Sequence, residues 1–266
     1  MSILDKILES KKEEIKNLKK KFSASSFEGM ELFSGHKISF IERTKNNKSI
    51  SLICEIKKAS PSKGIIRNDF NYRQVAEIYF RNDIEAVSVL TDKIFFQGDI
   101  IYLREIAENK KAPLLRKDFI IDELQVYESK ANGADLILLI SEVLSKTQIN
   151  EFTDIANRIG LDVLLEVHSE DQLEKINFDM NYLIGINNRN LKDFSVSLGT
   201  TSRLRKLIPP NVFVVSESGI SNHADVLFLK NTGVNALLVG ESIMTEKGIE
   251  NKIREFKKWC SSTEGV

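Results

Sequence analysis

Charged side chains interrupt the apolar stretches of this 266-residue chain at repeated places, always near the end of a run. The first such end reads Glu55-Ile56-Lys57-Lys58-Ala59-Ser60-Pro61-Ser62-Lys63-Gly64. Alternate residues of an extended chain share a face, so Glu55 and Lys57 point together and Ile56 points away. A carboxylate and an ammonium would then face one space, followed by a Ser-, Lys- and Gly-rich loop suited to phosphate contact or lid motion. A solvated loop with one structural ion pair fits this segment equally well. A second end, Leu114-Leu115-Arg116-Lys117-Asp118-Phe119, sends Leu115 and Lys117 to one side and Arg116 to the other. Burial lowers the pKa of a lysine, so Lys117 is expected to be a proton donor tuned towards neutrality.

Four further ends add acids, amides and turns. Val163-Leu164-Leu165-Glu166-Val167-His168 closes an apolar run on a carboxylate. Glu166 would pair with an inward lysine or act as a base, whereas His168 reads as a structural hydrogen-bonder. Gly185-Ile186-Asn187-Asn188-Arg189-Asn190 puts Asn187 and Arg189 on one face, as donors for a carboxylate or hydroxyl; the adjacent asparagines would also make a plain turn. Ser216-Glu217-Ser218-Gly219-Ile220 and Val239-Gly240-Glu241-Ser242-Ile243 both place Gly and Ser where a strand passes into a helix. Such turns let backbone N–H groups approach an anion closely.

Only a repeating scaffold would gather these ends. Apolar, β-branched runs recur at residues 51–57, 85–90, 112–117, 134–140, 162–167, 182–187, 212–216 and 236–240. They are near-continuously apolar, as parallel strands covered on both faces are. Helical periodicity fills 71–81, 99–109, 121–131, 146–159, 170–176, 200–207, 222–232 and 248–259, with Ser145 and Ser221 as expected N-caps. Eight βα units predict an α/β fold, a (β/α)8 TIM barrel, whose active sites lie at the C-terminal ends of strands and whose phosphates sit on the loops after strands 7 and 8. An open doubly wound sheet would carry GxGxxG or GxxxxGK[ST] after its first strand, and neither motif is present. Residues 1–50 fit no βα unit. Residues 3–20 read as a helix and 45–48 as a polar turn, so the whole chain, 1–266, is expected to be one barrel domain with an N-terminal extension packed on it, over its mouth.

Composition excludes several classes. With 42% hydrophobic and 29% charged residues the chain is a globular one, not a disordered one. Lys+Arg and Asp+Glu are both 38, which argues against a nucleic-acid or membrane-surface binder. Cys54 and Cys260 make no disulfide framework, and three histidines without HxxxH or HxH spacing predict no metal site. No signal peptide or apolar span is read, so a cytoplasmic location is expected.

In order along the chain, EIKKASPSKG, SVLTDKIFFQG, LLRKDFIID, LLEVHS, IGINNRNL, VSESGI and LLVGESIM resemble indole-3-glycerol phosphate synthase over nearly the whole length. That family is a (β/α)8 barrel with an N-terminal helical extension. The resemblance implies ring closure of 1-(2-carboxyphenylamino)-1-deoxyribulose 5-phosphate, with loss of CO2 and water, to indole-3-glycerol phosphate. It implies Lys117 as the general acid on the ketone oxygen and Glu166 as the acid–base group of dehydration. Lys57 would stand by the substrate carboxylate, with Glu55 and Asn187 in the supporting polar network. It also implies Arg189 on the anthranilate carboxylate and Glu217 on a substrate hydroxyl. Ser60, Ser218, Gly219, Gly240 and the Glu241 backbone match phosphate positions; Phe96, Phe119 and Leu138 would clasp the aromatic ring. No cofactor and no metal is implied, the partner is the phosphorylated small molecule alone, and a monomer is expected. Asn190 departs from the Asp that many relatives carry, a difference expected to touch loop packing more than chemistry. The rival barrels, phosphoribosylanthranilate isomerase and the tryptophan synthase α-subunit, would share the phosphate turns but not Lys57, Lys117 and Glu166 together. A non-catalytic phosphosugar-binding barrel would have lost an acid or base, and none is missing.

Overall fold

The computed structural model describes residues 2–191 and 193–262. Eight parallel strands close into a barrel: β1 (Ser51–Ile56), β2 (Ala86–Leu90), β3 (Leu114–Lys117), β4 (Leu136–Ile140), β5 (Asp162–Val167), β6 (Leu183–Asn187), β7 (Phe213–Glu217) and β8 (Ala236–Val239). Each strand pairs with its neighbour in sequence, and β8 returns to β1 through Ser51↔Ala236 to Cys54↔Val239. The order predicted from sequence therefore holds, with strand ends shifted by two residues or fewer.

The alternation of side chains divides the core in two. Ile53, Ala86, Leu115, Leu136, Leu138, Leu164, Leu183, Val215 and Leu238 fill the barrel interior. Leu52, Cys54, Val87, Val89, Leu114, Ile137 and Leu165 face outward against the helices. Cys54 is fully buried there, as expected of a small core residue. Arg116 also faces outward, where it is buried and donates to Ser129 Oγ, Gln125 O and Asp118 Oδ2.

Helix ends follow local chemistry, with one correction. Ser145 caps helix Lys146–Arg158 in a reciprocal capping box with Gln148. The expected cap Ser221 is displaced by Asn222, whose side chain accepts from Asp225 N at the start of helix His223–Lys230. Asn222 wins because Asp225 answers it from the third helical position; Ser221 instead donates to that same carboxylate.

The N-terminal extension grips the barrel at both ends. Below, Phe40 is fully buried in the interior cluster, edge-on to Phe213 at 5.4 Å, and Lys37 pairs with Asp162 at 2.6 Å. Above, helix Ile3–Lys21 sends Lys11, 1% exposed, between Asp92 and Asp118 at 2.9 Å each. Burial alone would lower the Lys11 pKa, but Asp118, Asp92 and Glu14 outweigh it and raise it. Both aspartates lie just past strand ends. Asp92 accepts the N–H groups of Phe95 and Phe96, and Asp118 that of Phe119. The extension thus holds the two loops that carry the aromatic residues of the mouth.

Candidate active site

A cavity of about 890 Å³ opens at the C-terminal ends of the strands. Its floor is built from residues that alternation turns inward: Glu55 on β1, Lys117 on β3, Glu166 on β5, Asn187 on β6 and Glu217 on β7. Lys117 Nζ donates to Glu166 Oε2 and to Glu217 Oε2, both at 2.7 Å. Lys57 lies outside the lining but pairs with Glu55 Oε1 at 2.7 Å, one residue past the C-terminal end of β1.

Lys117 is not the down-shifted lysine that burial predicted. Burial does push its pKa down, but Glu166, Glu217 and Glu55 outweigh that and hold it above the ordinary lysine value. The ammonium is therefore kept charged and yields its proton only to a base stronger than a carboxylate. Burial would raise Glu166 too, yet Lys117, His168 and a hydrogen bond from Asn187 bring its pKa down to about 2. Burial, with Glu166 and Glu55 adding to it against the pull of Lys117, pushes Glu217 up to about 8. Three carboxylates facing two ammoniums leave one negative charge in excess, and the proton that offsets it settles on Glu217. Its Oε1 is buried and makes no hydrogen bond among the described residues.

Two glycines make room for these carboxylates. A Cβ on Gly185 would stand 2.1 Å from Glu217 Oε1, and one on Gly240 2.4 Å from Glu55 Oε1. Gly185→Ala is accordingly expected to swing Glu217 off Lys117 and lower kcat by roughly 10²-fold, the cost of a misplacement of about 1 Å. Steady-state kinetics beside a thermal melt would check it; an unchanged kcat would mean that the placement of Glu217 does not matter.

One wall is apolar and the opposite rim is made of turns. Phe96, Phe119 and Leu138 line the cavity, the two rings 6.3 Å apart. Ser218, Gly219, Gly240 and Glu241 line it after β7 and β8. Ser218 and Gly219 take φ of 67° and 78°, and a Cβ on Gly219 would meet Val196 Cγ1 at 2.3 Å, so this turn requires glycine. The Glu241 side chain is taken up by Arg189 at 3.3 Å and Lys63 at 3.7 Å, which leaves its backbone to face the cavity.

Ser60 lies apart from that rim. It sits in a two-residue ribbon, Ala59–Ser60 paired with Gly64–Ile65, and its hydroxyl lies 3.4 Å from Ser62. It lines a recess of about 70 Å³ beside Ile3, Leu4 and Ile7 and not the main cavity with Ser218 and Gly240. Ser62 and Lys63 reach the main cavity in its place, because the ribbon folds the loop back before Lys63. Lys252, from helix Ile249–Ser261, also lines it. The Ser-Lys-Gly loop signalled Lys63; nothing in the local sequence distinguished Lys252 from any helical lysine.

A family model for indole-3-glycerol phosphate synthase matches residues 4–256. The chain is 46% identical over 260 residues to the indole-3-glycerol phosphate synthase of Acetivibrio thermocellus, covering 96% of this chain and 99% of that one. It is 46% identical over 259 residues to that of Alkaliphilus metalliredigens, covering 96% and 98%. Among solved structures it is similar to 3-hexulose-6-phosphate synthase, with TM-score 0.62, 12% identity and coverage of 80% and 100%. It is also similar to thiamine phosphate pyrophosphorylase from Pyrococcus furiosus, with TM-score 0.58, 14% identity and coverage of 82% and 97%. At such identity these two structures speak for the barrel fold alone.

Proposed function

The chain belongs to the indole-3-glycerol phosphate synthase family, and from that premise we propose how its cavity residues divide the work of the reaction. The activity is the decarboxylating, dehydrating ring closure of 1-(2-carboxyphenylamino)-1-deoxyribulose 5-phosphate in tryptophan biosynthesis, that of a carbon–carbon lyase. The observation that carries the assignment is the Lys117 ammonium held between Glu166 and Glu217 on the cavity floor.

The substrate lies with its ring against Phe96, Phe119 and Leu138 and its phosphate on the backbone of Ser218, Gly219, Gly240 and Glu241. This places the ketone above Lys117. As the ring carbon attacks, negative charge grows on the ketone oxygen, and the nascent alkoxide is a far stronger base than the carboxylates that hold Lys117. The proton passes then, and CO2 departs. Glu166, ionised and 2.7 Å from Lys117, takes the carbon-bound proton during loss of water, and Lys117, its proton restored, gives one to the leaving hydroxyl. Glu217, protonated near neutrality, holds a substrate hydroxyl. Arg189 meets the anthranilate carboxylate, Asn187 orients Glu166, and Lys57 acts through Glu55, which is weaker than direct contact.

Glu166→Gln tests this division. In a single turnover ring closure and CO2 release persist, while indole formation falls by about 10²–10⁴, so that CO2 outruns indole absorbance. Equal loss of both signals, or of neither, would remove Glu166 from the dehydration step. Two buried free thiols, Cys54 and Cys260, support a reducing compartment, and we place the enzyme in the cytosol as a monomer. Among the described residues no helix is long and apolar enough to cross a membrane.

A further inference from the structure

His168 is a buried titratable group beside the floor that the reaction scheme leaves unused. Its side chain is 8% exposed, and neither ring nitrogen has a hydrogen-bond partner among the described residues. Buried polar atoms are seldom left so, because each forfeits its bonds to water. The ring stands between two carboxylates: Nε2 is 3.3 Å from Glu166 Oε1 and Nδ1 is 3.7 Å from Glu142 Oε2. A small rotation would bond it to both. Glu166 lines the catalytic cavity, whereas His168 and Glu142 do not. Glu142 lies in the turn after β4, outside the cavity lining and with its side chain 18% exposed, so it reaches solvent without opening into the cavity. The other groups around this turn leave the line open. Gln172 accepts the backbone N–H of His168, and Lys175 donates to the carbonyls of Ser141 and Leu144.

The reaction needs such a line. Ring closure adds a proton to the ketone oxygen. Departure of the carboxylate as CO2 leaves its bonding pair in the ring system and releases no proton. Loss of water adds a proton to the leaving hydroxyl and removes one from the neighbouring carbon. Two protons enter and one leaves, so every turnover draws one proton from solvent while substrate fills the mouth.

We propose that Glu142 and His168 form a proton relay beside the cavity that recharges Lys117 through Glu166. Glu142 takes a proton from water and passes it to Nδ1 of His168; Nε2 gives one to Glu166 Oε1, and Glu166 Oε2 hands one to Lys117. His168 touches no substrate and acts through Glu166 as a positioning residue for its proton. The proposal rests on the assignment of Lys117 and Glu166 above.

The test uses the full chain, with kcat, KM and the solvent deuterium isotope effect measured for His168→Asn, Glu142→Gln and Glu166→Gln. His168→Asn is expected to lower kcat about tenfold or more, at the low end of positioned proton transfer, with KM nearly unchanged. Its isotope effect rises, and added imidazole restores the rate in proportion to its concentration. Glu142→Gln, in a partly exposed turn that tolerates the change, gives the same pattern more weakly and serves if His168→Asn does not fold. A His168→Asn rate equal to the parent's, or a loss that imidazole does not restore, overturns the relay. If Glu166→Gln is crippled and the other two are not, the relay alone falls. If Glu166→Gln turns over at the parent rate, the assignment beneath it falls as well.

Discussion

Lys117→Ala is expected to reduce turnover by at least about 10³-fold while substrate still binds, within the range of a lost general acid in a desolvated site. Three features of the site set that expectation. The ammonium is the cation shared by Glu166 and Glu217, so its loss removes both the proton donor and the charge that keeps Glu166 ionised. The pKa of Glu166 should then rise as that of Glu217 does, and neither carboxyl can replace a donor above the ketone. The phosphate turns and the aromatic wall are made by other residues and remain in place. Substrate affinity measured by quenching or calorimetry should accordingly stay near the parent value while kcat collapses. Turnover that survives would remove Lys117 from the mechanism.

Lys11→Met is expected to cost about 3–5 kcal/mol, the usual penalty for stranding a buried charge by removing its partner. At 2–4 °C per kcal/mol for chains somewhat shorter than this one, the melting temperature falls by roughly 10 °C. Methionine fills the volume but strips Asp92 of its cation and leaves Asp118 with Arg116 alone. The pH dependence has a definite sign. Asp118 is held well below the usual carboxylate range: burial opposes this, while Lys11 and Arg116 produce it. A depressed carboxyl contributes stability above its unfolded pKa and loses that contribution as pH falls. In the variant part of the contribution is already gone, so its deficit is largest at neutral pH and narrows in acid, where the stranded carboxyl takes up a proton. A melt series from pH 7 down to pH 2 would show it, since the contribution of Asp118 falls away only below the unfolded carboxylate pKa of about 4. Because Asp92 and Asp118 hold the amides of Phe96 and Phe119, KM should also rise. A melting temperature within a degree or two of the parent would contradict this account of the extension.

Much of this architecture is legible in the chain because period-2 alternation carries direct geometric content. Leu115 and Lys117 inward with Arg116 outward follows from alternation alone, and so does Glu55 against Ile56. The turn after β7 is legible because Gly219 must take a left-handed φ, and the turn after β8 because Gly240 leaves room for Glu55. What alternation does not carry is the distance between strands. The tie of Lys117 to Glu166 and Glu217 spans 49 and 100 residues, and it reverses the expected shift of the lysine. Lys11 looks like any lysine of a charged helix until Asp92 and Asp118 close on it. Ser60 and Lys63 share a loop whose composition suggests phosphate, but only the backbone pairing of Ser60 with Gly64 decides which one reaches the cavity. His168 reads as a structural hydrogen-bonder, yet its nitrogens are unbonded between two carboxylates that the sequence holds 24 residues apart.

The central claim is that this cavity closes an indole ring around a phosphate-anchored substrate with Lys117 as the acid. The most direct measurement supplies 1-(2-carboxyphenylamino)-1-deoxyribulose 5-phosphate to the purified chain and follows indole fluorescence together with CO2 release. Stoichiometric appearance of both, lost in Lys117→Ala, is the predicted result. Folded protein that binds the substrate and yields neither indole nor CO2 would contradict it.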